Sequence, residues 1–218
     1  MSDTEFRQEF EAEFIDGVNA AFSNVIDCVA GEPLTRGCTS ATYITGIDLG
    51  QRQDFSVLCS INCATERLEG FARFNHMDWS LQVALIAGHL KAFPGPCIVD
   101  ATGIGAPVCE LIRDLPRCRM KPFTFTPASR QEILSGLQVA FAYRNITLAR
   151  VPELLGELQA MSLLQIRDNN GIVSTRFGVP DGFHDDCVMS LALAWHGLKK
   201  QCLWGAAQGN GMRAGMFA

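Results

Sequence analysis

YITGIDLG, residues 43–50, is a strand-like run whose one charge, Asp48, stands near its end. Alternation along a strand puts Ile47 and Leu49 on one face and Asp48 on the other. A lone carboxylate in a central strand loses hydration, so it is expected to be paired or to hold a metal ion. The simpler alternative is an aspartate satisfied by turn amides beside Gly50. Two more short strands follow, DFSVLCSINC (54–63) and RLEGFARFNHM (67–77), each ending in turn-like residues. The spacing predicts an antiparallel meander of three strands.

Beyond the meander the period changes. DWSLQVALIAGHLKAF (78–93) has helical spacing with Asp78 as its N-cap, and PCIVDATGIGAPVCELIRDL (96–115) is an apolar strand running into a helix. KPFTFT (121–126) predicts a strand, and PASRQEILSGLQVAFAYR (127–144) a helix opened by proline. A short strand NITLA (145–149), a helix VPELLGELQAMSLL (151–164), a hairpin around DNNG (168–171) and a final helix complete the domain. Three hairpin strands followed by β-α alternation give an α/β domain, with later strands parallel. That order is the ribonuclease-H-like arrangement, a mixed β-sheet flanked by helices.

At 218 residues, with 48% hydrophobic and 19% charged residues, the chain has the composition of a folded globular protein. TEFRQEFEAEF (4–14) spaces Phe6, Phe10 and Phe14 at helical intervals. Residues 1–42 therefore form an acidic helical leader and linker, 43–200 the compact domain, and 201–218 a flexible tail rich in Gly and Ala. No apolar run is long enough for a membrane span and the acidic N-terminus is unlike a signal peptide, which predicts a soluble, intracellular protein. The nine cysteines contain no CxxC pair and lie mostly in apolar segments, so they are expected to be reduced core thiols.

The net charge of −5 is unevenly distributed: residues 1–32 carry eight acids and one base, leaving 15 acids and 17 bases in residues 33–218. Arg113, Arg117, Arg119, Lys121 and Arg130 fall close together, with Asp114 the one acid among them. They suit a local basic surface for a nucleic-acid backbone; a solvated loop accounts for them equally well.

The acids carry the chemistry. Asp100 ends the apolar strand CIVD, at the carboxyl end where ligands collect in open α/β sheets. The following TGIG turn is a weak candidate anion cradle, or merely a turn. Asp185 and Asp186 stand in front of the apolar helix CVMSLALAWHG (187–197). One aspartate suffices as an N-cap; the second needs solvent or a cation. If the last helix packs on the sheet, these acids converge with Asp48 and Asp100. Such like charges repel and call for divalent cations, and oxygen-only ligands point to Mg²⁺ or Mn²⁺. Two such ions would activate water and stabilise the leaving oxygen of a phosphodiester. Asp54, just past the first turn, is an accessory candidate. His184 either orients a ligand or is simply exposed at the helix start.

With these residues in hand, the chain resembles the C-terminal nuclease domain of tailed-phage terminase large subunits, the DNA-packaging motors. The matching pieces are GIDLGQRQDFSVL (46–58), IVDATGIGAPVCELI (98–112) and FHDDCVMSLALAWHG (183–197), supported by TPASRQEILSGLQVAF (126–141) and NITLARVPELLGELQAM (145–161). The resemblance implies a metal-dependent endodeoxyribonuclease that cuts concatemeric viral DNA in the host cytoplasm. It implies metal binding by Asp48, Asp100 and Asp186, with Asp185 contributing. Its partners would be double-stranded DNA, the packaging ATPase domain, the small terminase subunit and the portal of the procapsid. No GxxxxGK[ST] loop occurs in the sequence, so the motor's phosphate loop is absent. The acids also suit a Holliday-junction resolvase-like nuclease, and GIDLG with DATGIG a phosphotransferase of the actin-like and sugar-kinase group.

Overall fold

The computed structural model describes residues 20–50, 54–102, 105–115, 118–167, 173–180 and 182–208. The meander forms as the spacing predicts: β1 (Tyr43–Asp48), β2 (Ser56–Asn62) and β3 (Arg67–Phe74) pair antiparallel in sequence. All seven residues of β2 are buried, as a central strand covered on both faces requires. After helix α1 (Trp79–Ala92), strand β4 (Pro96–Asp100) returns to the open edge of β1 and runs parallel to it. Helix α2 (Gly105–Arg113) then leads to β5 (Arg119–Phe123), parallel to β4. Helix α3 (Pro127–Ala142) precedes the two-residue β6 (Thr147–Leu148), which pairs parallel with β3 and completes the sheet order β5-β4-β1-β2-β3-β6.

Local chemistry sets the helix starts. Asp78 caps α1 by accepting from the Leu81 amide at 2.9 Å. Thr126 and Ser129 form a reciprocal capping box at the head of α3, where Pro127 occupies the first turn.

Helix α4 (Pro152–Ala160) is followed by the hairpin β7 (Ser162–Arg167) and β8 (Val173–Gly178), a separate two-stranded sheet. The expected helix over 151–164 is shorter than its apolar pattern: Met161 turns extended, and Leu163 and Leu164 belong to β7. The last helix, α5 (Asp186–Gln208), continues past residue 200, into the segment expected to be a flexible tail.

Two apolar cores lie on opposite faces of the sheet. Ile47, Leu49, Leu58 and Val99 pack with α1 and α2 residues such as Ile86 and Ile112. Ile44, Val57, Cys59 and Ile98 pack on the other face with α3, α4 and α5. The second core also holds Ala21, Phe22, Val25 and Cys28, upstream of the expected boundary at Tyr43. Phe22 sits between the rings of Phe141 (5.5 Å) and Phe177 (6.0 Å), so this segment is part of the packed unit. The helix expected at residues 4–14 lies outside the described residues. Among the described residues, no helix is long and apolar enough to cross a membrane.

Candidate metal centre

The parallel register of β1 and β4 sets Ile47 beside Val99, and the next residue on each strand is an aspartate. Asp48 and Asp100 thus end neighbouring strands, about 4.8 Å apart by ordinary sheet spacing. Asp48 shares its face of β1 with Ile44 and Gly46, the face covered by α5. Asp100 is tied to the loop beyond it: its Oδ1 accepts from the Thr102 amide at 2.7 Å, and Thr102 Oγ1 accepts from the Phe125 amide at 2.7 Å.

Helix α5 delivers the remaining acids. The Asp185 carbonyl accepts from the Met189 amide at 2.8 Å, so Asp185 opens the helix. Its carboxylate does not cap it. The amides of Cys187 and Val188 instead donate to Glu157 Oε2, at 2.7 and 3.3 Å, from helix α4. With the cap supplied from outside, both aspartate side chains are released for other partners. Asp185 pairs with Arg130 of α3. Asp186 Oδ2 accepts from the Phe55 amide at 3.3 Å and lies 3.6 Å from His184 Nδ1.

The acids act on one another. Burial, then the charges of Asp100, Asp186 and Asp185, push the Asp48 carboxyl well above the usual carboxylate range, while Arg130 pulls it back. Burial pushes Asp186 up to about 6; the Phe55 amide and His184 oppose this, and Glu157 and Asp185 add to it. Among the described residues, no three histidine, cysteine or carboxylate side chains are drawn together tightly enough to form a ready-made metal shell. The donor set nonetheless fits a hard divalent cation in kind: every candidate atom is a carboxylate oxygen. Arg130 offsets part of the mutual repulsion, and a divalent cation would offset more.

The other expected site residues fall in different places. Asp54 is exposed in the turn ahead of β2, its backbone packed over Gly50. His184 is exposed, with its ring edge-on to Phe55 at 5.8 Å. Arg113, Arg119 and Lys121 are exposed at the end of α2 and along the edge strand β5. Arg130, grouped with them on sequence, turns into the acid cluster. Arg117, and Gly103 of the TGIG turn, lie outside the described residues.

No family model matches the chain. The large terminase subunit of Thermus phage G20c is 28% identical over 206 residues, which cover 89% of this chain and 41% of the phage protein. The chain thus spans about two fifths of the length of the curated relatives it matches. The solved large terminase nuclease of thermophilic phage G20c with bound magnesium matches at TM-score 0.70 and 24% identity, covering 83% of this chain and 98% of that one. The large terminase nuclease domain of Thermus phage P74-26 matches at TM-score 0.68 and 23% identity, covering 81% and 94%. The fold is that of a large terminase nuclease.

That terminase nuclease fold is the ribonuclease-H-like one expected from the strand order. Three residues that order the surroundings of the acid cluster do not stand out on sequence. Phe55 acts through its amide, which no side-chain pattern reports. Ser56 Oγ accepts from the Gly50 amide at 3.0 Å and donates to Gln82 Oε1 at 2.7 Å, tying the first hairpin to α1. Glu157 reads on sequence only as part of a helix, and its burial is the missing signal.

Proposed function

We propose that the chain is a divalent-metal-dependent DNA endonuclease, the cutting domain of a phage DNA-packaging machine. The observation that carries this reading is the placement of Asp48 and Asp100 at the ends of adjacent parallel strands, with α5 bringing Asp185 and Asp186 to act on Asp48. Likeness to large terminase nucleases supports a nuclease, and double-stranded DNA is the substrate class we assign to it.

Asp48, Asp100 and Asp186 would hold the metal, Mg²⁺ or Mn²⁺, with Asp185 contributing; two ions would fit the chemistry of phosphodiester hydrolysis. Divalent cations held there would supply Lewis acidity for activating water and stabilising a leaving oxygen. The protein's own groups prepare this. The Phe55 amide and His184 fix Asp186. Arg130 holds Asp185 and sets positive charge beside the place a phosphate must enter. Arg113, Arg119 and Lys121 offer charge to the backbone of the duplex, which binds without reading sequence. Work within a packaging machine would add an ATPase domain, a small terminase subunit and a portal as partners, in the host cytoplasm.

Supercoiled plasmid incubated with the purified chain and Mn²⁺ or Mg²⁺ tests the reading. Nicking and linearisation, lost with EDTA and in Asp48→Ala, is the expected result. No cleavage with either metal, or cleavage that survives Asp48→Ala, overturns it. Strong preference for four-way junctions over plasmid would favour the junction-resolving alternative.

A further inference from the structure

The start of α5 is held by a buried acid from another helix. Glu157 is 8% exposed, and its Oε2 takes the amides of both Cys187 and Val188. These are the two residues that follow Asp186. A side-chain cap is normally supplied by the residue opening the helix; here that residue is Asp185, whose carboxylate is engaged with Arg130 instead. Burying a carboxylate is unfavourable unless its oxygens are satisfied. Two charge-assisted hydrogen bonds at a helix N-terminus provide that satisfaction. They also fix where the first turn of α5 lies relative to α4.

We infer that Glu157 is a positioning residue: it substitutes for the local cap so that Asp185 and Asp186 face the sheet acids as metal ligands. The inference rests on the nuclease reading above and extends it to a residue outside the acid cluster. If Glu157 were absent, the nearest carboxylates able to cap the exposed amides would be those of Asp185 and Asp186 themselves. Capping would then compete with metal binding for the same oxygens. Groups that orient metal ligands typically change metal affinity by about 10–100-fold when removed.

The test compares wild type, Glu157→Ala and Glu157→Gln at a temperature where each is folded by circular dichroism. Mn²⁺ is titrated by calorimetry and, in parallel, by plasmid nicking. Gln removes the charge but keeps an acceptor oxygen, so it separates capping geometry from electrostatics. Expected is a Mn²⁺ midpoint at least about tenfold higher in Glu157→Ala and within about threefold of wild type in Glu157→Gln. Should Ala not fold, Glu157→Asp, one methylene too short to reach both amides, should show the raised midpoint. An unchanged midpoint in the folded short-reach variant overturns the inference, since a purely structural role alters stability alone. A Gln variant as weak as Ala also overturns it, because charge and not the cap would be responsible. Wild type that neither binds Mn²⁺ nor nicks DNA would instead overturn the nuclease reading.

Discussion

Ser190 donates its hydroxyl hydrogen to the carbonyl of Gly46 at 3.0 Å, so helix α5 and strand β1 meet at close range just below Asp48. The approach is that close because Gly46 has no side chain. A Cβ there would stand 2.0 Å from the Ser190 carbonyl oxygen and 2.5 Å from the Ala194 amide nitrogen. Neither is the end of a flexible chain that can swing aside.

Gly46→Ala should therefore lift α5 off the sheet. Overpacking of this kind costs about 1–3 kcal/mol. At roughly 2–4 °C per kcal/mol for a chain of this size, melting should fall by several degrees. Plasmid cutting should fall further than stability does, because Asp185 and Asp186 ride on the displaced helix. Thermal denaturation and nicking measured on one preparation check both.

Asp48→Asn should separate stability from activity. The folded-state pKa of Asp48 is raised, so its contribution to stability is full below the ordinary carboxylate pKa and is lost as pH rises through the folded value. At neutral pH in EDTA the ionised form is a burden, and the amide should raise the melting temperature. Cleavage should vanish. Adding Mn²⁺ should stabilise wild type and leave the variant unmoved.

Protons and metal should compete. Asp186 titrates near 6, pushed up chiefly by burial. Mn²⁺ affinity should accordingly weaken as pH falls through about 6, with Asp48, also raised, adding its own competition for protons. Calorimetry in buffers of different ionisation enthalpy would count the protons released. Affinity that is flat between pH 5 and 7 would remove Asp186 from the ligand set.

A second pH effect belongs to the fold. His89 lies half-buried against Ser60, with 2.8 Å between Nε2 and the hydroxyl oxygen, and desolvation lowers its pKa to about 4. Its folded pKa lies below the ordinary histidine value of 6.5, so the unfolded chain takes up the proton first. Stability is full above about 6.5 and is lost as pH falls from there towards 4, at most about 1.4 kcal/mol per pH unit. His89→Gln should flatten that part of the melting profile.

Arg130 should differ from the exposed bases. Its partly exposed pair with Asp185 is worth at most about 1 kcal/mol, so Arg130→Gln should barely change melting. It should slow cutting more than it weakens DNA binding. Neutralising Arg113, Arg119 and Lys121 should do the reverse. For each DNA phosphate that these bases cease to neutralise, the log-log slope of affinity against salt should become shallower by about 0.9. Binding isotherms across a salt series check this.

What is legible on sequence is what repeats or stands out locally. Asp48 and Asp100 are isolated charges at the ends of apolar strands, and the Asp185–Asp186 pair sits before an apolar helix, so all four can be picked out. Proximity along the chain groups Arg130 with the other bases, whereas its direction depends on α3 packing against α5. Glu157 looks like an ordinary polar position of a helix, because nothing local reveals that α5 buries it. Phe22 and its neighbours lie in bends and a single 3₁₀ turn, Ile26–Cys28, which carry no periodicity to read.

The hydrogen bond from Ser190 to Gly46 joins residues 144 positions apart. Contacts of such separation meet their loop-closure entropy late, after the local meander and hairpins have formed. On the ribosome, β1 and β4 emerge with two of the acids long before α5 exists to dock against them. On the proposed reading, cutting competence would therefore await the docking of α5, and a half-made chain would carry only two of the four aspartates.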